Sequence, residues 1–132
     1  MMEDFNRDNA AIDAALKSNA DGVAALQTAL AGAGNCKLYF GTYTGTGSGL
    51  TTLTFEKRPL FVSIMGNNIW ITAMQGAPVA IAKNAGEVYG GYNTATWSGN
   101  SVSLKNGSNS MASQCNESGM VYQVMALMDA NE

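Results

Sequence analysis

The residues able to do chemistry in this 132-residue chain are few. There is no His, the commonest general base and transition-metal ligand, so a nucleophilic Ser or Cys would depend on Lys or a carboxylate for activation. The two cysteines, Cys36 and Cys115, are too few for a Cys-only zinc site or a disulfide scaffold. They lie 79 positions apart and read as reduced thiols unless the fold brings them together. Glu87 and Glu117 are the one pair a glycosidase could use, but that mechanism needs the carboxyls ~5–9 Å apart. Both sit in polar turn sequence, as solvated loop carboxylates do. The run at 44–49 has the glycine content of a phosphate loop without its Lys-Ser/Thr ending or a following helix. The chain is therefore expected to be no enzyme, with no catalytic residue, metal site or cofactor.

Binding is better served. Residues 84–94 combine Tyr89 and Tyr92 with Gly, Asn93, Glu and Thr, and Trp97 follows shortly after. Tyr and Trp give large contact area at low entropic cost, and Asn can hydrogen-bond sugar hydroxyls, so Tyr89, Tyr92, Asn93 and Trp97 form a candidate ligand site. The alternative is that these aromatics are half-buried sheet residues. Trp70, inside an apolar stretch, is expected in the core. Met111 and Cys115 are expected to pack beneath the polar segment 106–119. Asn106-Gly-Ser108 and Asn116-Glu-Ser118 match the glycosylation pattern but read as turns.

Two differently built elements must position these residues. Residues 1–34 are Ala-rich and carry net charge −3, while 35–132 hold five acids and five bases. In the first segment Phe5, Asn9, Ile12, Leu16, Asn19, Val23, Leu26 and Leu30 are spaced 4, 3, 4, 3, 4, 3 and 4 apart, a heptad seam. Asn9, Leu16, Val23 and Leu30 take position a, and Phe5, Ile12, Asn19 and Leu26 position d. Leu16 at a with Ile12 at d favours three or four strands, and the Asn layers fix register and strand number. A helix over about 4–31 would be roughly 40 Å long. So thin a stripe must find copies of itself, or else fold back on the rest of the chain.

The remainder reads as short strands at 37–44, 50–55, 60–65, 69–74, 94–98, 101–105 and 120–128. The run at 60–65 looks buried on both faces, 44–49 reads as a flexible turn, and 75–93 and 106–119 read as long polar connections. The fold class is an N-terminal coiled coil, 1–34, followed by an all-β head, 35–132, forming an antiparallel β-sandwich or small barrel. Net charge −3 argues against nucleic acid. No apolar run is long enough for membrane insertion. The start, MMEDFNRDNA, lacks the basic-then-apolar order of a signal peptide.

The opening Asp4-Phe5-Asn6-Arg7-Asp8-Asn9-Ala10-Ala11-Ile12-Asp13-Ala14-Ala15-Leu16 resembles the start of coiled-coil segments in tail-fibre proteins of phages and prophages from gut and Gram-positive bacteria. Gly41-Thr-Tyr-Thr-Gly45, Phe55-Glu-Lys-Arg-Pro-Leu-Phe-Val62 and Asn116-Glu-Ser-Gly-Met-Val-Tyr-Gln-Val-Met-Ala126 resemble patches in the small β modules that end such fibres. Phe55-Glu56 stands where those modules often carry Gly-Phe. The resemblance implies a non-enzymatic, homotrimeric virion protein made in a bacterial cytoplasm, whose head touches a host surface glycan or protein. It implies no particular binding residues. Short stalk-and-head trimers of this kind also occur as head fibres or baseplate decorations. There the N-terminal end near residues 1–7 docks to other virion proteins and the role is structural. A glycan-degrading tip is the enzymatic alternative.

Overall fold

The computed structural model describes residues 2–32, 36–107 and 110–131. The chain divides into two compact units, Met1–Asn35 and Cys36–Glu132. The glycine-flanked join at 33–35 and the side chain of Met111 lie outside the described residues.

The first unit is one helix, α1, over Met2–Gly32, a turn's fraction longer than its periodicity marks. Ala supplies propensity, Glu3 and Asp4 sit at the positive end of the dipole, and Arg7–Asp4 (2.7 Å) and Lys17–Asp21 (2.9 Å) pair along the surface. These terms are each a few tenths of a kcal/mol. Helices in proteins owe most of their stability to a packed face. The apolar seam residues of α1, Phe5, Ile12, Leu16, Val23, Leu26 and Leu30, are instead 55–72% exposed.

The second unit is a single antiparallel sheet of eight strands among the described residues, curled into a half-barrel. Its strands are β1 (Cys36–Thr44), β2 (Leu50–Thr54), β3 (Pro59–Gly66), β4 (Ile69–Met74), β5 (Val79–Asn84), β6 (Gly91–Ser98), β7 (Ser101–Asn106) and β8 (Val121–Asp129), in the order β1-β8-β3-β4-β5-β6-β7-β2. Of the two expected forms, sandwich or small barrel, one continuous curled sheet is nearer the barrel, and no two-sheet sandwich is seen among the described residues. The edges, β1 and β2, come together at the ends of the half-barrel. The Tyr39 and Phe55 rings meet edge-to-face at 5.2 Å, and Lys37 Nζ lies 2.8 Å from Glu56 Oε2.

The core lies on the concave face. Period-two alternation sends Val62, Ile64, Ile71, Leu104, Tyr122 and Met128 inward, all nearly inaccessible. Ala80, Ala82 and Ala95 keep the inner face of β5 and β6 shallow, and the four-residue α2 (Ser110–Ser113) lies against β4, β5 and β6, with Ala112 and Ser113 fully buried. Gly66-Asn-Asn68 makes a two-residue hairpin in which Asn67 and Asn68 take φ of 47° and 65°, the twist that matches paired strands.

Four expectations are corrected. β5 crosses the segment 75–93 read as a loop. Its inward residues are Ala and its outward ones Val79 and Ile81, so apolar residues occupy both parities and no polar alternation marks the strand. β3 is buried on one face only, because the sheet has no second layer over its convex side. Trp70 lies on that convex side, 53% exposed. The turn at 44–49 is pinned, as described next.

Candidate functional site

The sheet has two unlike ends. β1 starts at Cys36 on one end, which also carries the tight β6–β7 turn at Gly99 and an Arg58–Asp129 ion pair of 2.9 Å. The Arg58 guanidinium, bonded to Asp129, holds that carboxyl below its ordinary range, and Lys37 does the same to Glu56. At the far end lie the connections 45–49, 67–68, 85–90 and 107–120. A sheet that returns its chain in hairpins can gather its variable connections at one rim, where loops are free to carry recognition.

That rim is held from below. Asn116 is 6% exposed and acts as a clamp: its Oδ1 accepts from Thr46 N (2.7 Å), and its Nδ2 donates to Thr46 Oγ1 (3.1 Å) and Leu50 O (3.3 Å). Gly45 N donates to Met120 O (2.7 Å), and a Cβ on Gly45 would stand 2.0 Å from Glu117 O, so no other residue fits without moving the backbone. Residues 44–49 are therefore fixed, and the Asn116 amide is spent inside the fold rather than offered for glycosylation. Beneath the clamp, Tyr43 stacks on Tyr122 at 5.2 Å and donates from its hydroxyl to Cys115 O at 2.5 Å. Burial, with Cys115 beside it, pushes the Tyr43 phenol up; burial likewise raises the Cys115 thiol, whose Sγ is 3.4 Å from Thr51 Oγ1. Cys36 and Cys115 are both free thiols, one exposed and one buried.

Two clefts open near the rim. One, of about 440 Å³, lies in the gap between β1 and β2 and is lined by Tyr43, Thr44, Thr46, Ser48, Thr52 and Leu53 among others. The other, about 370 Å³, lies on the convex face at the β3–β4 hairpin and is lined by Met65, Asn68, Trp70 and Lys83 among others. Trp70 Nε1 donates to Ser63 Oγ at 3.0 Å, which fixes the indole across the sheet with its ring partly open to solvent. A fixed indole beside an amide and an ammonium offers a stacking face for an apolar sugar face and donors for its hydroxyls.

The four candidate ligand residues do not form one site. Tyr89 projects from the β5–β6 loop, 79% exposed, beside Val88. Tyr92 and Asn93 are neighbours in a strand and so point to opposite faces: Tyr92 outward, Asn93 into the core. Asn93 is fully buried with neither side-chain polar atom paired. Trp97 is half-buried on the inner face, its Nε1 bonded to Ala77 O at 2.9 Å, as the sheet-residue alternative has it. Tyr89 lies on a rim connection, and Tyr92, the second residue of β6, lies against Gly107 at the start of another. Trp70 was hidden because it and Met74 are as apolar as Ile69, Ile71 and Ala73 on the other parity, with Thr72 as the one polar mark of the outward set. Only the register imposed by the Asn67-Asn68 turn decides which set faces in.

For acid–base chemistry, Glu117 lies on the 107–120 connection, where its carboxylate accepts from Asn67 Nδ2, and Glu87 on the β5–β6 loop. Among the described residues no three His, Cys, Asp or Glu side chains gather as metal ligands, and no helix is long and apolar enough to cross a membrane. No family model, curated protein or solved structure matches the chain.

Proposed function

We propose that this chain is a non-enzymatic attachment protein of the phage-fibre type, a homotrimer whose α1 helices form a parallel coiled coil and whose β heads touch a host-surface glycan or protein. The observation that carries the reading is a 31-residue helix whose 3-4 seam, apolar but for Asn9 and Asn19, is left open to solvent, joined to a head that gathers its long connections at the end of the sheet opposite Cys36. The seam supplies the copies. The rim supplies contacts, with Trp70 and Tyr89 as the exposed aromatic anchors. Three weak sites on one stalk bind together, and linkage of this kind raises avidity by ~10²–10⁴ over a single site. The N-terminal end of α1 is then the end that docks to other virion proteins.

Light scattering followed by cell binding tests this. A native mass near three times 13.8 kDa and saturable binding to intact bacteria, lost in Trp70→Ala with Tyr89→Ala, is the expected result. A monomer overturns the stalk. A trimer that binds no surface overturns the attachment role in favour of a purely structural decoration.

A further inference from the structure

The convex face of the sheet is apolar where solvent chemistry would have it polar. An antiparallel sheet covered on one side alone normally turns polar residues outward. Here the registers align the outward side chains in rows across the strands. One row runs Leu38, Leu127, Phe61 and Met74 across β1, β8, β3 and β4, with no polar member; one step nearer the end of the sheet, Cys36 faces Asp129, whose carboxylate holds Arg58. The next sets Phe40, Met125 and Ile81 among Ser63, Thr72 and Tyr92. The third holds Thr42, Gln123 and Lys83 beside Met65 and Trp70. Across β1, β8, β3 and β4 these three rows carry no charged side chain, and the apolar ones lie between the Arg58–Asp129 pair at the Cys36 end and Lys83 beside the third row.

Most of these side chains are open: Phe40 and Ile81 are each 67% exposed, Met74 62% and Leu38 60%. Side chains of this size and exposure amount to roughly 1,000 Å² of continuous surface, against ~300–600 Å² for the largest patch on an ordinary monomer and ~800 Å² per partner in a standard interface.

We propose that this convex face, over β1, β8, β3 and β4, is buried between heads of identical copies of this chain. The proposal rests on the self-association of α1 for the number of copies, and three observations select a second copy as the occupant. The area matches what a stable protein interface needs. The first two rows are uncharged, so they complement themselves and carry nothing that would select a charged partner. The covalent tether brings the copies together at this end: residues 33–35 are all that separate α1 from β1, so chains joined at the end of α1 are held within ~14 Å of chain reach at Cys36. The wholly apolar row at Leu38 begins two residues beyond that point. The rim, with Trp70 at the outer limit of the face, is left for other contacts.

Methionine oxidation of the intact full-length protein by hydrogen peroxide, read by mass spectrometry, tests this, because the face carries its own probes. Met125 on the face and Met120 off it are 38% and 40% exposed in the single chain, so they react alike if the face is free. The expected result is Met125 oxidised about tenfold more slowly than Met120, with Met74 similarly protected, since susceptibility follows exposure. Leu38→Glu with Phe40→Glu should bring Met125 up to the rate of Met120 without loss of the β signal, both side chains lying outside the core. Equal rates in wild-type protein of trimeric mass overturn the proposal while leaving the stalk standing. A chain carrying Ile12→Asp and Leu16→Asp that stays trimeric with Met125 protected supports the head interface and overturns the stalk. Wild-type monomer with equal rates overturns both.

Discussion

At the scale of single residues, the two cysteines stand in opposite surroundings, one exposed and one buried. Cys115 has its thiol inside the fold and its carbonyl engaged by the Tyr43 hydroxyl, and burial raises its pKa so that the protonated form persists across neutral pH. The thiolate is the reactive species. A chromogenic disulfide reagent at neutral pH should therefore titrate one thiol per native chain, exposed Cys36, and the second only after denaturant; two thiols in native protein would mean that the region under the clamp opens. Sequence gave fair warning of this burial, since free Cys behaves as a small hydrophobe. It gave none for Asn116, whose three bonds reach back 70 positions to Thr46 and 66 to Leu50. A side chain that satisfies distant backbone is indistinguishable, by type, from one that sits in a solvated turn.

At the scale of elements, what could be read was whatever carried its own local code. The Asn67-Asn68 hairpin was legible because two consecutive left-handed residues select Asn or Gly, and α1 because its period is unbroken. β5 was not, because Ala80 and Ala82 face the core while Val79 and Ile81 face outward, inverting the usual sign of the pattern. The same inversion hid Trp70. Such strands are misread where a face that looks like core is a surface awaiting a partner. The seam of α1 allows a test of its own. Asn9 and Asn19 place amides in the apolar stripe, which lowers stability and restricts the number of strands. Replacing both by Ile should raise the thermal midpoint of the helical signal in circular dichroism, by the removal of roughly 1–3 kcal/mol of polar burial per chain. It should also spread the light-scattering mass beyond one species. An unchanged midpoint with a single mass would place both Asn side chains outside any seam.

At the scale of the whole molecule, the two units have opposite needs. The head closes its own core, every member of which lies between Phe55 and Met128, whereas α1 leaves its apolar residues open. A fragment over 36–132 should therefore keep its β signal in circular dichroism, and its cooperative thermal transition, without the stalk. Its association should change more than its fold. Joined through α1, the heads meet at the effective concentrations of a short tether, in the millimolar range. Freed from it, they must find one another by diffusion, through a face of roughly standard interface size whose outer row is already polar. The fragment should move from trimer toward monomer on dilution through the micromolar range, while the full chain stays trimeric, as sedimentation over a dilution series would read. A fragment that remains trimeric at all dilutions would make the head the organiser of the assembly and the stalk its follower. A fragment that is monomeric even when concentrated would leave the convex face without a partner of its own kind.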